Sequence, residues 1–302
     1  MADTSDRYHV RSISMPSRSH PTAPGIEEEQ RGLRALESLS TAQESSLKAE
    51  AICVALFGQV ELYKCVESFL QTPQTQQTLA HHQADGWGDE LIEGSVTLLD
   101  IGSSARDILF QMKENVQDLQ SSLRRRNSGG VLKNKVKTYF SLKKRVKKDV
   151  NRCLKMLKRL KEKCVARLLL DLDNNSAIVV KVLREVNSVA ISIFRALLSF
   201  LSTPVSKPKV GRWHLVSKLM HRGVVACDSH EESMNEVESV DVSLLALFRC
   251  NSSKDVEVES SQMAQKRLKD LEVRLESLEE GLDFFYRRLI ETRVSLLNIL
   301  TH

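Results

Sequence analysis

The C-terminal part of the chain carries an apolar stripe whose spacing predicts a long helix that is buried along one side. Members of the stripe alternate in steps of three and four residues, which places them on one face of an α-helix. A single helix with such a stripe is not stable alone in water, so it must pack against another helix of this chain or of a second copy. The stripe comprises Leu268, Leu271, Leu275, Leu278, Leu282, Phe285, Leu289, Leu296 and Ile299, with Thr292 as its polar member.

The rest of the chain is also predicted to be helical. It contains only 12 Gly and 6 Pro among 302 residues and few aromatic side chains, a composition that argues against a many-stranded sheet. Apolar residues recur at helical spacing in four further segments, 27–70, 89–126, 131–170 and 177–201. The fold class is therefore all-α, and we expect a bundle of long antiparallel helices with coiled-coil-like packing.

Two parts of the chain differ in organisation. Residues 1–25 are rich in Ser, Pro, Arg and His and show no periodicity, so we expect a disordered regulatory tail. Residues 26–302 form the predicted helical domain. Asp89 is its predicted N-cap for the second long helix. The expected interruptions are a polar connection at 74–88 with room for one helical turn at 75–82, breaks at 127–130 and 203–211, a short helix at 213–221 and an acidic loop at 228–238.

Charge is distributed very unevenly along the chain. The formal net charge is only +5, yet residues 124–167 hold 18 Lys or Arg against 2 acids, whereas residues 227–283 hold 15 acids against 6 bases. One hypothesis is that these segments pair with each other inside the fold. Another is that the basic segment binds phosphate-bearing partners.

The basic segment itself has a helical pattern with a candidate binding surface. Val146, Val150, Cys153, Leu157, Leu160 and Cys164 form a heptad seam, and Lys and Arg occupy the other faces. An anionic membrane is favoured over nucleic acid as a partner, because no nucleic-acid-binding motif is present and only Tyr139 and Phe140 could stack on bases. The predicted basic surface comprises Lys143, Lys144, Arg145, Lys147, Lys148, Arg152, Lys155, Lys158 and Arg159.

A phosphorylation motif lies in the N-terminal tail. Arg11, Ser12, Ser14 and Pro16 match the pattern R-S-x-S-x-P, which 14-3-3 proteins bind after phosphorylation of the second serine. Arg11 stands three residues before Ser14, as basophilic kinases require. A phosphate adds about two negative charges, which an arginine cluster can bind. We therefore expect a 14-3-3 protein as a partner of phosphorylated Ser14.

Motifs that indicate catalysis, cofactor binding or export are missing from the sequence. It contains no GxSxG, P-loop, GxGxxG or HExxH pattern, and the six Cys are far apart without a CxxC pair. Cys227 and His230 lack the second ligand pair of a zinc site. No signal peptide, membrane-spanning segment or lipidation motif is recognised. We expect a non-enzymatic cytoplasmic protein without cofactor or metal, with peripheral association at the plasma membrane as an alternative.

Several sequence blocks resemble a plant-specific family. They are YHVRSISMPSRSHP (Tyr8 to Pro21), LYKCVESFLQTPQTQQTL (Leu62 to Leu79), GSVTLLDIGSSARDILFQMKENVQDLQSSLRRR (Gly94 to Arg126), the basic stretch, LVSKLMHRGVVAC (Leu215 to Cys227) and RRLIETRVSLLNIL (Arg287 to Leu300). The family is catalogued as domain of unknown function two-four-one and is distantly related to BYPASS-type proteins. The resemblance implies an all-helical plant protein, cytosolic or peripherally membrane-associated, and carries over no catalytic or ligand residue.

Taken with that resemblance, the sequence favours a regulatory or scaffolding protein that acts through helix-mediated protein contacts. The alternative is a peripheral membrane protein that binds anionic lipid through the basic helix near 131–167.

Phosphorylation of Ser14 should create a 14-3-3 site, because a phosphate accepts charge-assisted hydrogen bonds that a hydroxyl group cannot replace. Synthetic peptides covering Tyr8 to Pro21, with and without phosphate on Ser14, should differ strongly in a 14-3-3 pull-down. Pro16→Ala should weaken capture of the phosphopeptide. Equal capture of both peptides would show that the motif is a chance match.

Overall fold

A computed structural model describes residues 48–81, 86–125, 129–166, 174–203, 234–249 and 254–301 of the chain. The described residues lie almost entirely in helices and include no strand, which confirms the all-α prediction. The helices are α1 (Ala49–Leu70), α2 (Pro73–His81), α3 (Trp87–Arg124), α4 (Gly129–Ala166), α5 (Asn174–Leu201), α6 (Glu236–Arg249) and α7 (Lys254–Thr301).

The helices α3 and α4 form an antiparallel hairpin. Lys135 pairs with Asp118 near the connection, and Lys163 pairs with Glu93 at the far end. The helix α5 packs on both members of the hairpin and runs in the same direction as α3. These contacts make α4 an outer helix that rests on α3 and α5.

The helix α7 lies against α1, α3 and α6. It is antiparallel to α3 but parallel to α1, because Phe57 meets Phe284 and Glu67 meets Ser295 further along both helices. The antiparallel prediction is therefore confirmed for α4 and α7 against α3, and it does not extend to α5 against α3 or to α1 against α7. Several helices separate α1 from α7 in the sequence, so no short connection forces the two to run in opposite directions.

The predicted stripe on α7 is the centre of the core. Every member from Leu268 to Phe285 is fully buried, Leu289, Thr292 and Leu296 are buried, and Ile299 is partly buried. The ring of Phe285 packs edge-on against Tyr63 of α1 at 5.5 Å and lies 5.3 Å from Phe194 of α5. The partner of the stripe is thus this chain itself. Coiled-coil-like geometry remains a prediction, since the stripe packs on several helices.

One glycine permits the close approach of α3 and α7. A Cβ atom at Gly102 would lie 2.8 Å from Cδ2 of Tyr286, which is closer than two carbon atoms can pack. The ring of Phe194 also borders this position. The absence of a side chain at Gly102 therefore allows the aromatic rings of α5 and α7 to lie directly on the α3 backbone.

Three predicted boundaries differ from the structure. The polar connection at 74–88 begins with a helix, α2, which starts at Pro73, where a missing N–H costs nothing. Asp89 is not an N-cap, because α3 already starts at Trp87, and the carboxylate instead lies in the first turn. The break expected at 127–130 is shorter, since α4 begins at Gly129.

The acidic loop predicted at 228–238 also ends earlier than expected, because α6 begins at Glu236. Asn235 caps this helix: its side-chain oxygen accepts a hydrogen bond from the N–H of Glu238 at 2.8 Å. The predicted tail at 1–25, the break from residue 204 onward and the short helix at 213–221 lie outside the described residues.

Replacing Leu282 with Asp should unfold the bundle or destabilise it by more than about 4 kcal/mol, because the charge has no partner in the core. Glu276→Ala, on the exposed side of the same helix, is the matched control and should change stability by less than about 0.5 kcal/mol. Thermal and urea unfolding of both variants provide the measurement. Equal unfolding curves would show that the stripe does not stabilise the fold.

Candidate functional site: the basic face of helix α4

The helix α4 is amphipathic, with one buried apolar face and a wide basic surface. Val146, Val150, Cys153, Leu157 and Leu160 are buried against the bundle, as the heptad seam predicts. The side chain of Cys164 lies outside the described residues. The exposed basic face, as we define it, comprises Lys144, Arg145, Lys147, Lys148, Arg152, Lys155, Lys158 and Arg159. At 1.5 Å per residue these side chains cover about 22 Å of the helix axis.

Most of this face has no counter-charge in the described part of the chain. Lys144, Lys147, Lys148, Lys155 and Arg159 make no ion pair with any described residue. Because these five side chains are exposed and unpaired, they are available to a partner with negative charge.

The remaining members of the face make only weak contacts. The pairs Arg152–Asp149 and Lys158–Glu162 span 3.9 and 3.8 Å within the exposed surface of the same helix. Such exposed pairs contribute little free energy. Arg145 donates a hydrogen bond to the neutral side chain of Gln111 at 2.8 Å. None of these contacts neutralises the face.

Three acids of α7 have partners on α3 or on α7 itself and none on α4. Glu279 pairs with Lys113, and Asp283 lies 2.7 Å from Nε of Arg106. Burial favours the neutral form of Glu272, but hydrogen bonds from Lys269, Gln117 and Gln120 outweigh it and lower the pKa of this carboxyl group. The hypothesis that the acidic and basic segments neutralise each other therefore does not hold for Glu272, Glu279 and Asp283, whose partners lie outside the basic segment.

Among the described residues, an ion pair joins the two segments in a buried cluster between α4 and α6. Lys143 and the Tyr139 hydroxyl group both donate to the carboxylate of Asp241, the latter at 3.0 Å. Burial raises the pKa of Asp241, although Lys143 and Tyr139 oppose the shift. Burial also raises the pKa of Tyr139 well above its ordinary value, and the neighbouring carboxylate adds to this effect.

The assignment of Lys143 to the basic surface is therefore wrong, because its side chain is 5% exposed. The pattern contained a signal for this position. Extending the seam of α4 backwards from Val146 in steps of three and four gives Lys143, Tyr139 and Val136, all of which are buried. A lysine at a core position requires a buried acid nearby. Asp241 could not be identified as that acid from spacing alone, since α6 is distant in sequence.

Other candidate residues lie elsewhere. Arg11, Ser12, Ser14 and Pro16, as well as Cys227 and His230, are outside the described residues. Within the described ranges, no three His, Cys, Asp or Glu side chains are grouped as metal ligands. Among the same residues, no helix combines the length and apolar character needed to span a bilayer.

A family model described as Protein BPS1 matches residues 55–299, which include α2 to α6 entirely, nearly all of α7 and the last 16 of the 22 residues of α1. The chain belongs to the BPS1 family. This result confirms the resemblance to BYPASS-related plant proteins, a regulatory family of unknown biochemical function. No curated protein and no solved structure shows significant similarity to the chain. The BPS1 match thus identifies the family and assigns no role to the exposed basic face.

Replacing Lys143 with Met should destabilise the protein by about 3–5 kcal/mol, because it leaves the Asp241 carboxylate buried without its counter-charge. The double variant Lys143→Met with Asp241→Asn should recover a large part of this loss, since the amide oxygen can still accept from Tyr139. Urea unfolding of the wild type, both single variants and the double variant tests the coupling. Simple additivity would show that the pair does not interact.

The Lys143→Met deficit should depend on pH in a defined direction. A carboxyl group whose pKa is raised by folding binds protons more tightly in the folded state, so acidification favours folding down to the unfolded pKa of about 3.9. Because Lys143 lowers the pKa of Asp241, its removal raises that pKa further, and the variant gains more stability on acidification than the wild type does. The deficit should therefore shrink between neutral pH and about pH 5. A deficit that grows on acidification would contradict this account.

Proposed function

We propose that this BPS1-family protein is a non-enzymatic regulatory protein that associates peripherally with anionic membranes through the exposed basic face of α4. The observation that supports the proposal is the row of unpaired cations: five Lys or Arg of this face make no ion pair with any described residue. The partner is a surface with a high density of negative charge, such as phosphatidylserine headgroups.

The summed charge supplies enough free energy for such binding. Each Lys or Arg near an anionic membrane contributes about 1 kcal/mol, and the effect decays within a Debye length of about 8 Å at physiological salt. The members of the face lie on one helix on the outside of the bundle, so several can approach a planar surface together. Binding of this kind should be reversible and sensitive to salt.

The aromatic side chains of α4 favour lipid over nucleic acid. Single-stranded nucleic acid is commonly bound by exposed aromatic rings on which bases stack. Tyr139 is fully buried, and Phe140 packs edge-on against it with a centroid distance of 5.4 Å. Both rings therefore pack at the face of α4 that meets the bundle, and neither is free to stack on a base.

Scaffolding through helix-mediated protein contacts is a second candidate function. It requires a surface other than the apolar stripe of α7. The stripe of α7 is used inside the bundle. The exposed aromatic pair Phe57 and Phe284 on α1 and α7 is a surface that favours this candidate. Binding of a 14-3-3 protein to phosphorylated Ser14 likewise remains a prediction and is compatible with either candidate.

A charge-neutralising variant tests membrane association. Lys144, Lys147 and Lys148 should be replaced together by Gln, with Lys143 retained because its removal would leave the buried carboxylate of Asp241 without a counter-charge. Loss of three charges should weaken binding to phosphatidylserine-containing vesicles roughly a hundredfold, with unchanged helicity. The matched control replaces Lys48, Lys64 and Lys266 by Gln; these exposed lysines lie outside α4. Co-sedimentation provides the measurement.

The control variant should bind nearly as well as the wild type, and none of the proteins should bind vesicles of phosphatidylcholine alone. Raising the salt from about 0.1 to about 1 M should release the wild type, because the Debye length falls from about 10 to about 3 Å. Equal loss of binding in both variants would show that binding depends on the total charge of the protein and not on the basic face of α4. Absence of vesicle binding by the wild type, or tighter binding to RNA, would overturn the proposal.

A further inference from the structure

The outer face of the parallel helices α1 and α7 carries an exposed aromatic pair. The rings of Phe57 and Phe284 are each 42% exposed, and their centroids are 6.2 Å apart. Val54, one turn before Phe57, is 53% exposed. Large apolar side chains grouped on a surface indicate an interaction site more often than the same residues scattered singly. We call this surface, together with the acids described next, the α1–α7 face.

Acidic side chains border the aromatic pair. Glu276, Glu279, Glu280 and Asp283 line a shallow groove on α7 together with Phe284 and one cation, Arg287, whose guanidinium lies 5.9 Å from the centroid of the Phe284 ring. Glu279 and Asp283 are neutralised by α3, as described above. Glu276 and Glu280 are exposed and make no ion pair with any described residue. The groove therefore suits a basic segment that also has apolar side chains for Phe57 and Phe284.

We propose that the N-terminal segment 7–26 of the same chain docks on the α1–α7 face. This segment contains Arg7, Arg11 and Arg18 and has no Asp or Glu, so its charge is opposite to that of the groove. Its apolar residues Tyr8, Val10, Ile13 and Met15 stand between the arginines. The docked segment places arginines near Glu276 and Glu280 and an apolar side chain on the aromatic pair.

The position of the chain's entry into the bundle supports an intramolecular occupant. The helix α1 begins at Ala49, and the pair Glu50–Arg274, 3.6 Å apart, sets this end of α1 beside the part of α7 that leads to the groove. Phe57 lies about 12 Å further along α1. The linker 27–47 would span about 30 Å as a helix, the form that its sequence predicts, and at most about 70 Å if extended, so both lengths exceed the distance of about 12 Å from Ala49 to Phe57. A tether of this length gives an effective concentration on the order of millimolar, which favours docking even of a weakly binding segment.

Docking of this segment would make Ser14 a switch. A kinase that transfers the γ-phosphoryl group of ATP to the Ser14 hydroxyl group, with release of ADP and a proton, adds about two negative charges beside Glu276 and Glu280. The phosphate and these two carboxylates carry the same charge and repel each other, so phosphorylation releases the segment. The docked and released states thus make Arg11 to Pro16 inaccessible and accessible, respectively.

Photo-crosslinking in the full-length chain tests the docking. Benzoylphenylalanine in place of Ile13 should crosslink within the same molecule to residues surrounding Phe57 and Phe284. Glu276→Lys combined with Glu280→Lys should lower the yield at least fivefold, because the groove then repels the arginines. The matched control, Asp107→Lys with Glu114→Lys, reverses two exposed acids on the side of α3 that adjoins α4 and should retain the yield. Ser14→Asp should reduce it in the otherwise unchanged chain.

Two further measurements ensure that a lower crosslinking yield reports loss of docking within one molecule. Thermal unfolding must show that the charge-reversed chains are folded, which exposed substitutions should permit. A mixture of isotopically light and heavy protein distinguishes crosslinks within one molecule from those between two. Crosslinks to a second copy, crosslinks at α4 or spread over the surface, or a yield unaffected by Glu276→Lys and Glu280→Lys would each overturn the proposal. None of these outcomes depends on whether α4 binds membranes.

Discussion

Burial of the α7 stripe is the interaction on which the rest of the structure depends. The helix has 48 residues, and its apolar side chains pack on α1 and α3 along most of that length, while α6 covers its N-terminal part. Phe285 brings three helices together, because its ring contacts Tyr63 and Phe194. No other described helix packs extensively on α1, α3 and α6 at once. The positions of the outer helices follow from the arrangement around α7.

This arrangement also determines where charge remains unpaired. Because α7 lies against α3, the carboxylates of Glu279 and Asp283 are neutralised by Lys113 and Arg106. The helix α4 packs on α3 and α5 and keeps most of its cations exposed. The protein therefore presents a basic face on α4 and an acidic, aromatic face on α1 and α7. The proposed membrane association uses the first of these surfaces, and the proposed docking of segment 7–26 uses the second.

The buried contact of Lys143 with Asp241 shows how a charge pattern can be misinterpreted. In the sequence, Lys143 is one member of a dense run of cations, and a run of this kind usually indicates a solvated surface. Its heptad position nevertheless places it in line with Tyr139 and Val146 on the buried side of α4. Desolvation of a single lysine costs free energy that a hydrogen-bonded carboxylate offsets only in part. The cluster is better understood as a device that fixes α6 against α4 than as a source of stability.

Local periodicity determined much of the fold. The spacing of apolar residues predicted the long helices and the buried sides of α4 and α7, because the residues that share a helix face are fixed by the helical repeat. It also predicted the exposed cations from Lys144 to Arg159. Tertiary structure alone decided that α1 runs parallel to α7, that two acids of α7 pair with α3, and that Phe57 meets Phe284 at the surface. These features depend on which helices become neighbours, and helices distant in sequence are brought together only by packing of the whole bundle.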